Sequence, residues 1–112
     1  RRNKMMIRES SKSYSIGETL FLPDELLLRS AGNLVTLTSR EKELLEFLCL
    51  NPNKILKREE ILSQVWGKND FFLGRSMDVF ITRLRKHLQG EKAVSIETIH
   101  AVGYRFTFSD KN

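Results

Sequence analysis

RSMDVFITRLRKHL, residues 75–88, spaces its apolar side chains with the period of an α-helix. At about 100° per residue they form one stripe, made of Met77, Phe80, Ile81, Leu84 and Leu88. The other side collects mainly polar and charged residues: Arg75, Asp78, Val79, Thr82, Arg83 and Lys86, with Arg85 at its edge. Such a helix suits a DNA major groove, where arginine binds guanine and valine contacts a thymine methyl. A solvated amphipathic helix is the alternative.

The size and composition indicate one domain in a reducing compartment. With 112 residues, the chain is long enough for one modest core and too short for two. No apolar run approaches the ~18 residues of a membrane span, and the charged start lacks the apolar segment of a secretory signal. Because the chain begins with Arg1, we expect a piece of a longer polypeptide. The lone Cys49 is expected to be a buried small side chain in a cytoplasmic protein.

The positive charge is unevenly distributed along the chain. Residues 1–12 hold five basic residues against one acidic residue, a net +4 that leaves only +1 of the total +5 for the rest. The overall charge is therefore weak evidence for a nucleic-acid partner. Within the folded part, residues 75–87 carry four Lys or Arg and one Asp, whereas residues 40–46 carry three acids and two bases. The cations thus gather on the helix that is proposed to face DNA.

The chain divides into a flexible linker at 1–13, a folded domain at 14–109 and a tail at 110–112. The folded part opens with strand-like pieces at 14–16, 20–22, 26–29 and 34–37. Turn residues separate them at Pro23-Asp24 and at Gly32-Asn33. These features predict a small antiparallel sheet.

Two helices are predicted after this sheet. The first begins at a capping box, in which Thr38 and Glu41 exchange side-chain and backbone hydrogen bonds. The second spans 58–66 and stops at Gly67, which is a common residue after a helix end. Lys57 occupies its cap position, where a lysine side chain offers no acceptor for the free backbone N–H groups.

A third helix and a hairpin complete the predicted fold. A loop at 68–74 leads into the helix at 75–88, and strands at 95–99 and 104–108 form the hairpin. Sheet, three helices and hairpin in this order predict an α+β fold of the winged helix-turn-helix type. In that fold the third helix enters the major groove, and the hairpin wing lies over backbone or minor groove.

Four segments in this order resemble one family: LTSREKELLEFL (37–48), REEILSQVWG (58–67), RSMDVFITRLRKHL (75–88) and IETIHAVGYRF (96–106). Over residues 14–108 the chain is similar to the C-terminal effector domain of OmpR/PhoB-type response regulators, the transcription factors of two-component phosphorelay signalling. The resemblance implies a four-stranded N-terminal antiparallel sheet, three helices and a C-terminal β-hairpin wing. It also implies a receiver domain N-terminal to this piece and sequence-specific binding of double-stranded DNA at direct repeats. The isolated piece is then expected to be monomeric and to dimerise on DNA.

The resemblance also assigns DNA-contacting positions. Those of the third helix fall on Arg75, Ser76, Asp78, Val79, Thr82, Arg83, Arg85 and Lys86. Trp66 resembles a tryptophan that packs near a phosphate, and the wing positions are Thr98, His100 and Tyr104. Arg83 is the first choice for base readout, while Asp78 is expected to accept from a cytosine amino group or to orient an arginine.

The chain departs from the common family pattern at two of these positions and at Ala101. His100 stands where many members carry arginine, and Ala101 stands where glycine follows it. A neutral imidazole is a weaker minor-groove probe than a guanidinium, so we expect a weaker and pH-sensitive wing contact. Thr82 stands where several members have a second arginine, which leaves fewer phosphate clamps.

Several assigned residues have a structural alternative. Arg85 could pair with Asp78 or with another acid, and Asp78 could be a first-turn acid that favours the helix dipole. Trp66 could lie at the edge of the core. Tyr104, which follows a glycine, could simply close the hairpin against the third helix.

The loop between the second and third helices raises a second partner. Its candidate contact residues are Lys68, Asn69, Asp70, Phe71 and Phe72. The two phenylalanines could fold back into the core. In the family this loop faces RNA polymerase, so exposed aromatic side chains here would contact that partner.

Other functions find less support in the residues. His87 and His100 do not have a metal-ligand spacing, and the sequence has neither a glycine-rich phosphate loop nor a recognisable catalytic set. We therefore expect no catalytic residues, metal, cofactor or membrane partner. A winged-helix module for protein–protein contact is the main rival, and RNA is a poorer fit because an A-form major groove is too narrow for a helix.

Overall fold

A computed structural model describes residues 12–68 and 71–109, apart from the side chains of Phe71 and Phe72. Of the predicted linker and tail, only Lys12 and Ser13 lie within the described residues. Within the described ranges, none of the helices is both long and apolar enough to cross a membrane.

The chain begins with the predicted four-stranded antiparallel sheet. Its strands are β1 (Tyr14–Ile16), β2 (Thr19–Leu22), β3 (Leu27–Ser30) and β4 (Asn33–Thr36), paired in that order. A 3₁₀ turn at Pro23–Glu25 makes the predicted turn between β2 and β3. Alternation of side chains turns Ile16, Phe21 and Leu28 into the core. The prediction of this sheet is confirmed.

The first helix, α1 (Ser39–Leu50), begins at the predicted capping box. The backbone N–H of Glu41 donates to the Thr38 hydroxyl (3.2 Å), and the backbone N–H of Thr38 donates to the Glu41 carboxylate (2.8 Å). Both bonds satisfy donors that a helix start would otherwise leave unpaired. Three leucines of α1 are completely buried: Leu44, Leu45 and Leu48.

A short strand that the sequence analysis missed joins the hairpin. This strand, β5 (Ile55–Lys57), pairs antiparallel with β7 (Gly103–Phe108), which also pairs with β6 (Val94–Ile99). The wing is therefore a three-stranded sheet in the order β5-β7-β6. A Cβ at Gly103 would collide with the carbonyl oxygen of Leu56, so the close pairing of β5 with β7 requires glycine at this position.

The second helix changes its winding along its length. It runs as α2 (Arg58–Ile61) and continues as a π-helical stretch at Leu62–Trp66. It ends where predicted, at Gly67, whose φ of 86° is a left-handed conformation that glycine adopts without strain. The Lys57 side chain at its start makes no capping hydrogen bond within the described residues, but the backbone N–H of Lys57 donates to the Glu60 carboxylate (3.2 Å).

The third helix, α3 (Phe71–His87), starts four residues earlier than predicted. Phe71 and Phe72 were assigned to a loop, and this assignment is wrong for their backbone, which is helical. Leu73 lies one helical turn before Met77 and packs against the core, so it extends the apolar stripe and supports the additional turn. That packing outweighs the cost of about 1 kcal/mol for Gly74 inside a helix.

The apolar stripe of α3 lies in the core as predicted. Met77, Ile81 and Leu84 are completely buried, and Leu88 is nearly so. They share one apolar cluster with α1 and with the wing residues Ile96 and Phe106. This packing leaves the opposite face of α3 free and places it beside the wing.

Candidate nucleic-acid interface

The outward face of α3 is basic and accessible. Arg75, Thr82, Arg83 and Lys86 are exposed, and 49% of the surface of Val79 is accessible to solvent. Ser76 is half-buried at the margin of this face. The predicted outward orientation of Thr82 and Arg83 is confirmed.

Arg83 is held by an aromatic ring. Its guanidinium carbon lies 5.0 Å from the ring centroid of Phe80, which is half-buried at the edge of the apolar stripe. A guanidinium that stacks on a ring retains its in-plane N–H donors for other partners. Arg83 is thus restrained and still able to form a bidentate hydrogen bond.

Trp66 continues this aromatic surface towards α1. Its ring meets Phe80 edge-on, with centroids 5.9 Å apart, and the Arg40 guanidinium lies 5.2 Å from the Trp66 centroid. Arg40 also donates to the carbonyl oxygen of Val65. Trp66 is half-buried against the core, a position compatible with both sequence interpretations.

Asp78 points towards other protein groups rather than along the helix surface. Its carboxylate accepts two hydrogen bonds from Arg58 (2.8 and 3.3 Å) and one from the Tyr104 hydroxyl (2.6 Å). Burial by itself would raise the pKa of Asp78, but the hydrogen bonds from Arg58 and Tyr104 and the Arg58 charge hold it below its ordinary value. The carboxylate is therefore charged and well satisfied within the protein.

Arg85 is bound to the wing. Its guanidinium donates twice to the carbonyl oxygen of Ile96 (2.9 and 2.7 Å) and once to the Thr98 hydroxyl (2.8 Å). It also lies 5.8 Å from the ring centroid of Tyr104. The sequence left open that Arg85 pairs with an acid. In the structure its partners are instead a backbone carbonyl and a hydroxyl.

Tyr104 closes the wing against α3. The residue is 5% exposed, and its hydroxyl is committed to Asp78. Burial, together with the hydrogen bond to a charged carboxylate, raises the pKa of the Tyr104 phenol. This position favours the alternative in which Tyr104 packs the hairpin onto the helix.

The wing turn presents His100 to solvent. The turn closes with a hydrogen bond from the backbone N–H of Val102 to the Ile99 carbonyl (2.9 Å). Ala101 adopts a φ of 64°, a left-handed conformation that disfavours a side chain by ~1–2 kcal/mol. The backbone therefore still has the shape that suits glycine, although alanine occupies the position.

The remaining assigned residues are placed as follows. The Thr82 hydroxyl donates to the backbone carbonyl of Asp78 (3.0 Å) and keeps its lone pairs for other donors. Thr98 is exposed, as is Lys68 after the second helix. Asn69, Asp70 and the side chains of Phe71 and Phe72 lie outside the described residues.

Arg58 belongs to this group of residues and was missed in the sequence analysis. It lies in the first turn of α2, joins Asp78 through its side chain and donates its backbone N–H to the Val102 carbonyl (3.0 Å). A cation is unfavourable at a helix N-terminus because of the helix dipole. An arginine in this unfavourable position indicates that an acidic partner on another element compensates for it, and that was the signal in the sequence.

Comparison with known proteins identifies what this arrangement is similar to. Residues 32–106 match the family described as "Transcriptional regulatory protein, C terminal". The transcriptional regulatory protein RprY of Bacteroides fragilis is 39% identical over 97 residues, which cover 87% of this chain and 41% of RprY. The phosphate regulon transcriptional regulatory protein PhoB of Escherichia coli is 40% identical over 68 residues, covering 60% of this chain and 30% of PhoB. The chain thus spans less than half the length of these relatives.

A solved structure with a similar fold contains DNA. It is the Klebsiella pneumoniae RstA DNA-binding domain in complex with the RstA box, at 29% identity and a TM-score of 0.71. The similarity covers 86% of this chain and 97% of the RstA domain.

Proposed function

The chain belongs to the OmpR/PhoB-type family of transcriptional regulatory protein C-terminal domains, and from this premise we propose that it binds double-stranded DNA sequence-specifically and controls transcription. It does so as the output domain of a two-component response regulator. The observation that carries the proposal is the outward face of α3, where Arg75, Arg83 and Lys86 are exposed while the apolar stripe is buried. A helix with this arrangement can enter a major groove without leaving the core.

The residues of α3 divide the work. Arg83 donates its restrained guanidinium to O6 and N7 of a guanine, and the exposed side chain of Val79 contacts a thymine methyl. Arg75 and Lys86 neutralise phosphates on either side, which supplies affinity without sequence preference. Ser76 and Thr82 lie close enough to this face to serve as further hydrogen-bonding groups.

The wing adds contacts outside the major groove. Thr98 and His100 are exposed on the strand and turn that would lie over the backbone or the minor groove. Trp66 is half-buried beside Phe80 at the other margin of the helix, and we propose it as a phosphate neighbour.

The full-length protein is proposed to contain a receiver domain N-terminal to this piece. The relatives support this because they are more than twice as long as the matched region. Phosphorylation of that domain would bring two copies together on direct repeats in the cytoplasm. The proposed contact with RNA polymerase lies where the second helix leads into α3. It consists of Lys68, Asn69 and Asp70, and of Phe71 and Phe72 at the start of α3.

The function is tested by selecting bound duplexes from a random pool and then measuring the affinity for the enriched duplex at increasing salt concentration. We expect one enriched sequence, and an affinity that falls with increasing salt because phosphate neutralisation releases counterions. Replacement of Lys86 by alanine should weaken binding to all duplexes and reduce the salt slope by about one unit. A slope near zero and an unenriched pool would instead support the protein–protein interaction module.

A further inference from the structure

We propose that Asp78 and Arg85 are positioning residues that fix the wing relative to α3, so that the spacing between the two DNA contacts is set before binding. The inference rests on the proposed function. It differs from the assignment by resemblance, which places both side chains among the DNA-contacting positions. It concerns the geometry of the reading surface rather than a further contact.

The hydrogen bonds of Asp78 connect three elements. Arg58 belongs to α2, Asp78 to α3 and Tyr104 to β7, and their side chains meet at the Asp78 carboxylate within 2.6–3.3 Å. A carboxylate offers about four acceptor sites, and three hydrogen bonds are already made within the protein. Little capacity remains for a cytosine amino group.

Arg85 makes a second connection about two turns further along α3. Its donors reach the carbonyl of Ile96 and the hydroxyl of Thr98, both on β6. Each wing strand that follows α3 is therefore attached to the helix by a different charged side chain. Two attachment points on two strands restrict rotation of the wing as well as its distance from the helix.

The backbone supports the same arrangement. The N–H of Arg58 donates to the carbonyl of Val102 in the wing turn, and β5, which directly precedes Arg58, pairs with β7. The turn that carries His100 is thus attached to α2, while the strands are attached to α3. Helix, wing and wing turn form one connected unit.

The negative charge of Asp78 supports a role in positioning the wing, as opposed to a role in contacting DNA. A carboxylate on the cationic face of α3 opposes phosphate binding, because it repels the DNA backbone. The Asp78 and Arg58 side chains remain 47% and 38% exposed, and an ion pair so exposed contributes little to folding stability. Ordering the wing before association instead lowers the entropic cost of binding.

The test measures how strongly each variant discriminates against a duplex with altered spacing between the helix and wing contacts. The variants are Asp78→Asn, Tyr104→Phe and the double variant. Each is titrated with the selected duplex, with one carrying an extra base pair between the helix and wing contacts, and with an unrelated duplex. We expect Asp78→Asn to bind the selected duplex about tenfold more weakly and to lose much of the discrimination against the extra base pair. Binding to the unrelated duplex should be unchanged or tighter, since a negative charge has been removed. The double variant should lose no more than Asp78→Asn alone.

Arg85→Lys provides a second test that preserves the charge. A lysine keeps the positive charge that attracts a phosphate, but it cannot reproduce two donations to one carbonyl and a third to a hydroxyl. The proposal expects Arg85→Lys to lose spacing discrimination with an unchanged salt slope. Thermal unfolding of each variant verifies that it folds. Arg29→Lys makes the same substitution at an exposed position on the N-terminal sheet, and as the matched control it should retain discrimination.

Three results would overturn the inference. One is an altered preference at a single base pair with additive effects, which would mean that Asp78 reads a base. Another is tighter binding of Asp78→Asn to every duplex, which would mean that Asp78 only repels DNA and does not position the wing. The third is full spacing discrimination in Arg85→Lys. If the unmodified chain fails to bind any duplex in a salt-dependent manner, the proposed function itself fails.

Discussion

The two sheets that residues 12–68 and 71–109 form are attached to the helical core in different ways. The N-terminal sheet is held at Glu91, whose carboxylate accepts from the Thr19 hydroxyl (2.7 Å) and from the backbone N–H of Glu18 (3.1 Å) and Ala93 (3.1 Å). The phenol of Tyr14 adds a hydrogen bond to Glu46 on α1 (3.0 Å). The wing sheet is held by Asp78 and Arg85, which are themselves residues of α3.

This difference separates stability from recognition. Glu91 and Glu46 lie outside α3, so a change at either is expected to affect folding more than DNA binding. Asp78 and Arg85 alternate along α3 with the outward residues Thr82 and Lys86, so the side chains that hold the wing share a helix with those proposed to contact DNA. Substitutions in each group of residues test whether this separation holds.

Gly103→Ala should have the largest effect, because its Cβ would collide with the backbone of Leu56. We expect the free energy of unfolding to fall by about 3 kcal/mol, as β5 and β7 are forced apart. Chemical denaturation measures this change. Gly90→Ala is the control, since its Cβ would meet nothing within 4 Å, and it should change stability by less than about 0.5 kcal/mol. Equal stability of the two variants would contradict the pairing of β5 with β7.

Arg83→Ala should weaken binding to the selected duplex by ~1–3 kcal/mol and relax the base preference. It should change the free energy of unfolding by less than about 1 kcal/mol, since only an exposed contact with Phe80 is lost. Arg29→Ala removes the same charge from an exposed position on the N-terminal sheet and serves as the control. If both variants bind alike, the role assigned to Arg83 is wrong.

Glu91→Ala should lower the free energy of unfolding by about 1–2 kcal/mol, because two backbone N–H groups and a hydroxyl lose a charged acceptor. Affinity for DNA should remain as in the unmodified chain once the protein is folded. Lys92→Ala, at the exposed neighbouring position, is the control. A loss of affinity comparable to that of Arg83→Ala would remove the proposed separation between the two sheets.

The two tyrosines offer one titration probe for each sheet. Burial, with the hydrogen bond to Glu46, raises the pKa of Tyr14 from 10.0 to about 12, and burial with the Asp78 contact raises the pKa of Tyr104. Since the neutral phenol is favoured in the folded state, its stabilisation is complete below pH 10 and is lost as pH rises through the folded pKa. Absorbance of tyrosinate should therefore appear above the ordinary pKa for both residues. Glu46→Gln should shift only Tyr14, and Asp78→Asn only Tyr104; a joint shift would contradict two independent attachments.

Local patterns predicted most of the secondary structure. The capping box at Thr38 and Glu41, the apolar stripe of 75–88 and the alternation in the strands each involve neighbours within a few residues. The start of α3 at Phe71 was missed because Gly74 resembles a break when its packing is unknown. β5 was missed because three residues after a turn carry no periodicity of their own, and their pairing partner lies about fifty residues away.

The candidate site was predicted in part. The outward orientation of Arg83, Val79 and Lys86 follows from helical period alone. The same period placed Asp78 and Arg85 on or beside that face, and it could not show that their side chains turn towards the wing. Arg58 was absent from the predicted site, because its partner is twenty residues away on another element.

From the amino-acid sequence alone follow the order of the elements other than β5, the buried stripe of α3 and the family to which the chain belongs. These depend on side-chain type and spacing within one element, where geometry is nearly constant. Which cations remain free for a partner, and which hold the wing, depends on the packing of the elements against one another. That choice depends on the distances between donors and acceptors on different elements, and these exist only once the core has packed.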